Sequence, residues 1–309
     1  MPDLSLTQNP FPYLVDGLLP EHEISILSGA SGAGKSTFAA QLLAAIDAGE
    51  AAFFGQAISY PIRIGLVVAD RSQRSYHELA VRVGLDTTRI QMRSLVDDRT
   101  INLGRLEGDS LSLLFDIIHS FDAPHLVVVD PFVTFLGVDT NAYAKVAPRL
   151  IKVNRFCMDA HITLLGTHHA TKARTDYTFK RPQDRVSGTS ALLGFTSTQL
   201  FLAAPDELGK PWAEFVCVPH NRPPRTIRLG RDTVGRFINW TDDLASGALA
   251  DVVVKLLAKS GAVDKAKLRV DSRIDPATLD TLLDHMVAAD VIRLGTKGEF
   301  RLAEVAGKA

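Results

Sequence analysis

The sequence predicts an α/β protein built on a mostly parallel β-sheet, followed by a smaller domain. Up to residue 166, short apolar runs typical of strands alternate with amphipathic stretches typical of helices, which is the pattern of a parallel sheet flanked by helices. The apolar runs are continuous, as in strands covered on both faces. From about residue 195, strand-like runs follow one another without helices. This change predicts an antiparallel extension of the same sheet.

The elements are predicted in the following order. The parallel strands are expected at Glu23–Ser28, Arg63–Ala69, Ile90–Arg93, Leu126–Val129 and Ile162–Gly166. The helices between them are expected at Lys35–Ala48, Ser72–Val83, Leu106–Ser120 and Asn141–Asp159. The antiparallel strands are expected at Gln199–Ala204, Ala213–Pro219, Thr226–Leu229 and Arg236–Trp240.

The carboxyl-terminal part predicts a separate domain of residues 244–309, after a first domain of residues 1–243. Thr241–Gly247 is polar and small, as in a linker. Three helical stretches and a hairpin around Gly295–Gly298 then resemble a winged helix. The third of these helices, Ala277–Ala289, contains aspartates but no lysine or arginine, so DNA phosphates would repel it. We therefore expect this domain to contact a protein partner, with weak DNA contact left open through Arg293 and Lys297.

Composition narrows the function classes. The 309 residues carry a formal net charge of -1, so any contact with nucleic acid must come from local basic patches. The two cysteines, Cys157 and Cys217, are far apart and have no metal-site spacing, which fits a reducing cytosol. We see neither a signal peptide nor an apolar run of membrane-spanning length. The expectation is a cytoplasmic protein without membrane contact.

A glycine-rich loop after the first parallel strand predicts ATP binding. The pattern G-x-x-x-x-G-K-[ST] is present between a predicted strand and a predicted helix, the context that a phosphate-binding loop needs. Lys35 is expected to reach the β- and γ-phosphates, and Ser36 to ligate Mg²⁺. The predicted phosphate-binding residues are Gly29, Ala30, Ser31, Gly32, Ala33, Gly34, Lys35, Ser36 and Thr37.

A second element agrees with this prediction. His125–Asp130 is an apolar strand that ends in an acid, which is the pattern of a Walker B strand. Asp130 is expected to hold the Mg²⁺ shell from the end of a strand beside the phosphate-binding loop. ATP and Mg²⁺ are therefore the predicted substrate and cofactor.

The order of these and further motifs resembles RecA-type ATPases and, more specifically, the RepA-type hexameric replicative helicases of plasmids and phages, which are relatives of the DnaB family. The resemblance covers about residues 11–240. Besides the phosphate-binding loop and the Val127–Pro131 strand, the matching segments are Phe11–Pro20, Val67–Asp70 with His77 in the following helix, Gly166–His169, Ser187–Ser190 and His220–Arg222.

The resemblance implies roles for three groups of residues. His168 and His169 stand where a sensor of the γ-phosphate is expected. In this superfamily, loops after that strand line the channel of a ring, and basic groups there neutralise nucleic-acid phosphates. The basic residues of that loop are Lys172, Arg174, Lys180, Arg181 and Arg185. Arg222 matches an arginine finger that enters the ATP site of a neighbouring subunit, which implies a homo-oligomer, in this family a hexameric ring.

One departure from the family leaves the rate of hydrolysis open. RecA-type ATPases place a glutamate at the end of the strand after the phosphate-binding-loop helix, where it polarises the attacking water. Here that strand ends with Ala69, Asp70 and Arg71. In one alignment Asp70 replaces the glutamate and hydrolysis is ordinary. In the other Ala69 replaces it, and slow hydrolysis or a nucleotide-dependent switch results.

Two functions therefore compete. The first is a ring-forming, DNA-dependent ATPase, a replicative helicase or translocase that moves on single-stranded DNA. The second is a nucleotide-switched adaptor or assembly factor that oligomerises and recruits partners without unwinding. The basic loop and the paired histidines favour the first, and the missing glutamate and the acidic tail favour the second.

Overall fold

The chain divides into two compact units, Met1–Asn239 and Trp240–Ala309. The boundary that the sequence predicts, between residues 243 and 244, lies close to this division. The computed structural model describes residues 12–59, 62–169, 190–204, 213–232, 234–239, 252–272, 279–280, 283–284, 286–287, 292–295 and 298–302.

Strands and helices alternate in the first unit. Its strands are β1 (Tyr13–Val15), β2 (Leu19–Pro20), β3 (Ile24–Gly29), β4 (Ala52–Phe53), β5 (Gln56–Ala57), β6 (Ile64–Val68), β7 (Gln91–Ser94), β8 (Leu126–Asp130), β9 (Thr163–His169), β10 (Thr198–Ala203), β11 (Ala213–Pro219), β12 (Arg225–Arg231) and β13 (Phe237–Asn239). Its α-helices are α1 (Lys35–Asp47), α2 (Gln73–Val83), α3 (Ser110–His119), α4 (Tyr143–Asp159) and α5 (Ser190–Gly194). Two 3₁₀ turns span Leu103–Glu107 and Phe132–Phe135.

Among the described residues, nine strands form one sheet in the order β13-β12-β11-β10-β3-β9-β8-β6-β7. The six strands from β10 to β7 pair in parallel. Strands β11, β12 and β13 continue the sheet with antiparallel pairing. The predicted fold class, a mostly parallel sheet with an antiparallel extension, is confirmed.

Both faces of the sheet are covered, which explains the continuous apolar runs. On one face, α1 and α2 pack with Phe38, Leu42 and Tyr76 against the strands. On the other face, α3 and α4 contribute Leu114 and Leu150 to a second core. Neighbouring residues of a strand point to opposite faces, and since both faces are covered, every residue of β3, β6 and β8 is buried.

The structure departs from the predicted elements where local signals are weak. The predicted helix Leu106–Ser120 is interrupted, because Gly108 has low helix propensity and Asp109 takes the N-cap position of α3. The hairpins β1–β2 and β4–β5 were not predicted, because strands of two or three residues are too short to show a periodic pattern.

The second unit has a small core of its own. Its described elements are a helix over residues 252–260, strand β14 (Val263–Asp264), helix α6 (Lys265–Ser272), helical residues at 279–280, 283–284 and 286–287, and strands β15 (Ile292–Leu294) and β16 (Glu299–Leu302). Strands β14, β16 and β15 form an antiparallel sheet in that order, which includes the predicted hairpin.

Charges within the second unit are partly paired. Lys265 and Arg269 of α6 form ion pairs with Asp280, at 2.9 Å and 3.1 Å. One acid of the predicted acidic helix is therefore neutralised inside the unit. The predicted linker, Thr241–Gly247, lies outside the described residues, and the winged-helix assignment stays a prediction.

No described helix has both the length and the apolar character needed to span a membrane.

Candidate ATP site

The phosphate-binding loop lies at the carboxyl end of β3, the edge of a parallel sheet where ligands usually bind. The loop runs from Ala30 to Gly34, and α1 begins at Lys35. Gly34 is the N-cap of α1 with φ 99°, and no side chain caps the helix. Backbone N–H groups at this helix start are thus available to phosphate oxygens, and the helix dipole favours negative charge there.

A cavity of 330 Å³ opens beside the loop. It lies between the start of α1, the second half of α2 and the carboxyl ends of β6, β8 and β9. Its lining residues are Ser31, Gly32, Gly34, Lys35, Ser36, Thr37, Asp70, Arg71, Leu79, Arg82, Asp130, Pro131, Thr167 and His169. The structure therefore brings most of the residues predicted for the ATP site together in one cavity.

Lys35 is held within the loop. Only 8% of its surface is exposed, and its Nζ donates hydrogen bonds to the carbonyl oxygens of Gly29 and Ala30, each at 2.9 Å. These contacts keep the charged end of the side chain at the centre of the loop. A lysine in this position stabilises negative charge that develops on a transferred phosphoryl group.

Asp130 has the surroundings expected of a Mg²⁺ ligand, and Ser36 lines the same cavity. Asp130 ends β8 and is 3% exposed. The hydroxyl of Thr167 donates to its Oδ1, while its Oδ2 is buried and has no hydrogen-bond partner among the described residues. A buried carboxylate oxygen without a partner fits a hydrated cation. These residues would hold Mg²⁺, whose positive charge would neutralise charge on the β- and γ-phosphates.

Other protein ligands for a metal ion are few. Within the described part of the chain, no group of three or more His, Cys, Asp and Glu residues could hold a metal ion. Mg²⁺ is usually bound through one or two protein groups, with water and substrate phosphates completing the shell.

Asp70 faces the cavity beyond the end of β6, and 45% of its side chain is exposed. Its neighbour Arg71 donates from Nε to Asp70 Oδ1 at 3.1 Å and from Nη2 to Ser36 Oγ at 3.3 Å. Burial alone would lower the pKa of Arg71, but the hydrogen bond and charge of Asp70, together with the charge of Asp130, raise that pKa above its ordinary value. Arg71 is therefore a permanent cation inside the site.

The two histidines at the end of β9 have different positions. His169 is exposed and lines the cavity. Partial burial of its ring and the charge of Lys35 lower the pKa of His169, and the nearby Asp70 and Asp130 only partly oppose this. His168 is 3% exposed and is not part of the cavity lining. Of the predicted pair, His169 is the residue placed to face a nucleotide.

Arg222 lies at the opposite end of the sheet's strands from the phosphate-binding loop. Pro219, at the end of β11, pairs with Thr198, which in turn pairs with Ser25 near the start of β3. The turn after β11 is therefore at the amino end of the parallel strands, away from the phosphate-binding loop of the same chain. Arg222 forms an ion pair with Asp16 and lies 4.4 Å above the ring of Tyr13.

Several residues of the site were not predicted from the sequence, namely Thr167, Arg71, Arg82 and Arg231. Arg231, at the end of β12, donates to the carbonyl oxygen of Ala33 at 3.0 Å. A signal existed only for Thr167 and Arg71, because each stands next to a predicted residue. The predicted nucleic-acid residues Lys172, Arg174, Lys180, Arg181 and Arg185 lie outside the described residues.

Comparisons with known proteins agree with this geometry. Residues 3–175, more than half of the chain, match the AAA_25 family, which is described as an AAA domain. A KaiC-like protein from the hyperthermophilic archaeon Pyrococcus horikoshii has a similar fold, with a TM-score of 0.50 and 15% sequence identity over 74% of this chain and 94% of that chain. No curated protein sequence matches the chain. The chain therefore belongs to the AAA_25 family and is a P-loop ATPase with a RecA-like fold.

Proposed function

We propose that this protein is a ring-forming, DNA-dependent ATPase that couples ATP hydrolysis to movement on single-stranded DNA, as RepA-like replicative helicases do. In this proposal Lys35 binds the β- and γ-phosphates, and Ser36 and Asp130 hold Mg²⁺. Asp70 accepts a hydrogen bond from the attacking water and orients it toward the γ-phosphate. His169, with His168 behind it, responds to loss of that phosphate.

The position of Arg222 carries the ring part of the proposal. The phosphate-binding loop and Arg222 lie at opposite ends of the parallel strands, which supports a role for Arg222 on another subunit. An interface that joins two different surfaces of the same protomer repeats from subunit to subunit and closes into a ring when the rotation allows it. An arginine supplied in this way stabilises charge in the transition state and is worth about 10³–10⁵ in rate.

The chain has two basic surfaces, and we assign the DNA backbone to the first of them. The first is the loop with Lys180 and Arg181, which the sequence predicts. The second is a face of α4, defined by Lys145, Arg149, Lys152 and Arg155, whose spacing of three or four residues places them on one side of the helix. None of these four is in an ion pair within the described part of the chain.

Two measurements test the proposal. ATP turnover should rise when single-stranded DNA is added, and DNA affinity should fall with salt because each neutralised phosphate releases counterions. Replacing Lys180 and Arg181 with alanine should weaken binding to different sequences almost equally and make the log–log salt slope shallower by about 1.4, at about 0.7 per contact. A matched variant on α4, Lys152→Ala with Arg155→Ala, should leave the slope unchanged.

The same titration separates the alternatives. If only the α4 variant loses affinity, the DNA surface lies on α4 and the loop assignment is wrong. If deletion of residues 249–305 abolishes binding, the carboxyl-terminal domain is the DNA reader. Absence of DNA binding at every salt concentration, with no stimulation of turnover, would refute the DNA-dependent function.

The second candidate, a nucleotide-switched adaptor, is favoured by one observation. The Asp70 side chain is one methylene shorter than the glutamate that RecA-type ATPases have at this point, and it accepts a hydrogen bond from Arg71. A carboxylate engaged in this way is a weaker water-positioning group. An adaptor would bind ATP and oligomerise without DNA-stimulated turnover, and its carboxyl-terminal domain would recruit a protein partner.

A further inference from the structure

Arg71 contacts two residues with assigned roles in the ATP site, namely Ser36, a proposed Mg²⁺ ligand, and Asp70, the proposed water-positioning residue. Its Nη2 donates to the Oγ of Ser36 at 3.3 Å, and its Nε donates to Oδ1 of Asp70 at 3.1 Å. Its backbone is fixed, since its carbonyl oxygen accepts a hydrogen bond from Ser94 Oγ at 2.8 Å. The guanidinium is thus directed into the cavity from a fixed point on the loop after β6.

We propose that Arg71 is a built-in competitor of Mg²⁺: it occupies Ser36 and neutralises the carboxylates of the site, and it must turn away before Mg·ATP is bound productively. This inference rests on the ATP site and is independent of whether the protein moves on DNA.

The contact of Arg71 with Ser36 and the binding of Mg²⁺ to Ser36 exclude each other, for reasons of both charge and hydrogen bonding. The Ser36 hydroxyl oxygen accepts from Arg71, and a guanidinium at 3.3 Å leaves no room for a cation on the same side of that oxygen. Two positive charges at such a distance also repel each other. The contacts that Arg71 gives up are weak enough to be reversible, because 32% of its side chain is exposed.

Two buried polar atoms, on Tyr76 and Asp130, lack hydrogen-bond partners among the described residues. The Tyr76 hydroxyl is fully buried and, like Oδ2 of Asp130, has no hydrogen-bond partner among the described residues. Burial and the charge of Asp130 raise the pKa of Tyr76, although Arg71 opposes this, so the phenol stays a neutral donor. Arg71 satisfies neither buried atom, whereas a hydrated cation beside Asp130 would satisfy its free oxygen.

The test is a Mg²⁺ titration of nucleotide binding. A fluorescent, non-hydrolysable ATP analogue is bound to the full chain, and the Mg²⁺ concentration that gives half of the affinity increase is measured. Arg71→Met should lower this concentration about tenfold, because loss of one charge-assisted contact corresponds to about one decade in an equilibrium constant. Arg82→Met is the matched control, since Arg82 lines the same cavity without a hydrogen bond to Ser36 or to either carboxylate among the described contacts.

Three outcomes would overturn the proposal. In the first, Arg71→Met leaves the half-saturating Mg²⁺ concentration unchanged or raises it. In the second, Arg82→Met lowers that concentration as much as Arg71→Met does. In the third, the wild-type protein binds the analogue with an affinity that does not depend on Mg²⁺. Analogue binding by Arg71→Met in the presence of a chelator shows that this variant folds. In a Ser36→Ala background, where the shared hydroxyl is gone, the effect of Arg71→Met should be smaller than in the wild-type background, because only the charge of Arg71 still opposes Mg²⁺.

Discussion

At the scale of single residues, the proposed chemistry of the site depends on Asp70. The carboxylate lies in the cavity with Lys35 and Asp130, where a group that orients the attacking water belongs. Its hydrogen bond to Arg71 competes with that role. If Arg71 turns away when Mg·ATP binds, Asp70 is released at the moment when it is needed, so metal binding and water activation become linked.

Replacement of Asp70 tests its role directly. We expect Asp70→Asn to lower kcat for ATP at least about a hundredfold, because an amide is a poor acceptor for the proton of water. The KM should change little, since the carboxylate does not bind the phosphates. Asp70→Glu, which restores the missing methylene, should keep or raise kcat in the same steady-state assay. Wild-type turnover in Asp70→Asn would instead place Ala69 at the glutamate position and support a nucleotide switch.

At the scale of elements, the antiparallel extension holds the phosphate-binding loop. Arg231 at the end of β12 bonds to the Ala33 carbonyl oxygen and lies 4.1 Å above the ring of Phe237. Gln41 of α1 donates to the backbone oxygen of Phe237 at 2.9 Å. The phosphate-binding loop, helix α1 and strands β12 and β13 therefore pack together. A substitution in β12 or β13 can thus alter the geometry of the phosphate-binding loop.

Two glycines of the loop form a matched pair for testing this packing. Both have positive φ, 82° at Gly32 and 99° at Gly34. A Cβ at Gly34 would lie 2.2 Å from Arg231 Nη2 and 2.9 Å from Cζ of Phe237, whereas at Gly32 it would meet nothing within 4 Å. We expect Gly34→Ala to lower the melting temperature more than Gly32→Ala, because strain is common to both but the steric clash is not.

Arg231→Met distinguishes the clash from strain. It removes the guanidinium that a Gly34 Cβ would meet, so Gly34→Ala should cost less stability in that background. The interpretation fails if the two glycine variants melt at the same temperature, or if the Arg231→Met background makes no difference to Gly34→Ala.

The scale of elements is also where sequence analysis was most successful. Strand β3, the loop and helix α1 are encoded locally, since an apolar run, two glycines and a helical stretch follow one another within 25 residues. The contacts of Gly34 with Arg231 and Phe237 could not be predicted, because they join segments about 200 residues apart and depend on how the sheet is ordered. The same holds for Arg71, since only the fold brings it to Ser36.

At the scale of the whole molecule, one chain has its ATP cavity at the carboxyl ends of the parallel strands and Arg222 at their amino ends. In the structure Arg222 is engaged within its own chain by Asp16 and Tyr13. These contacts support two interpretations: they position the arginine for a neighbouring subunit, or they only fix the lead-in segment to the turn after β11. An experiment on mixed subunits separates them.

Subunits with Lys35→Ala have no functional phosphate-binding loop, and subunits with Arg222→Ala have no finger. We expect each variant alone to be inactive and a mixture to regain ATP turnover, because the intact loop of an Arg222→Ala subunit can meet the intact Arg222 of a Lys35→Ala neighbour. With random mixing in equal amounts, about a quarter of the interfaces have this composition. Arg225→Ala is the control, since Arg225 lies on the same edge and bonds to Gln56; alone it should keep its activity.

Asp16→Ala decides between the two interpretations. Asp16 holds Arg222 but would not itself enter a neighbouring site, so its loss should lower turnover less than Arg222→Ala does. If Asp16→Ala reproduces Arg222→Ala in both turnover and melting temperature, and the mixture stays inactive, Arg222 has only a structural role within its own chain. Turnover in the mixture that scales with the fraction of mixed interfaces requires instead that the active unit be an oligomer whose ATP sites are shared between subunits.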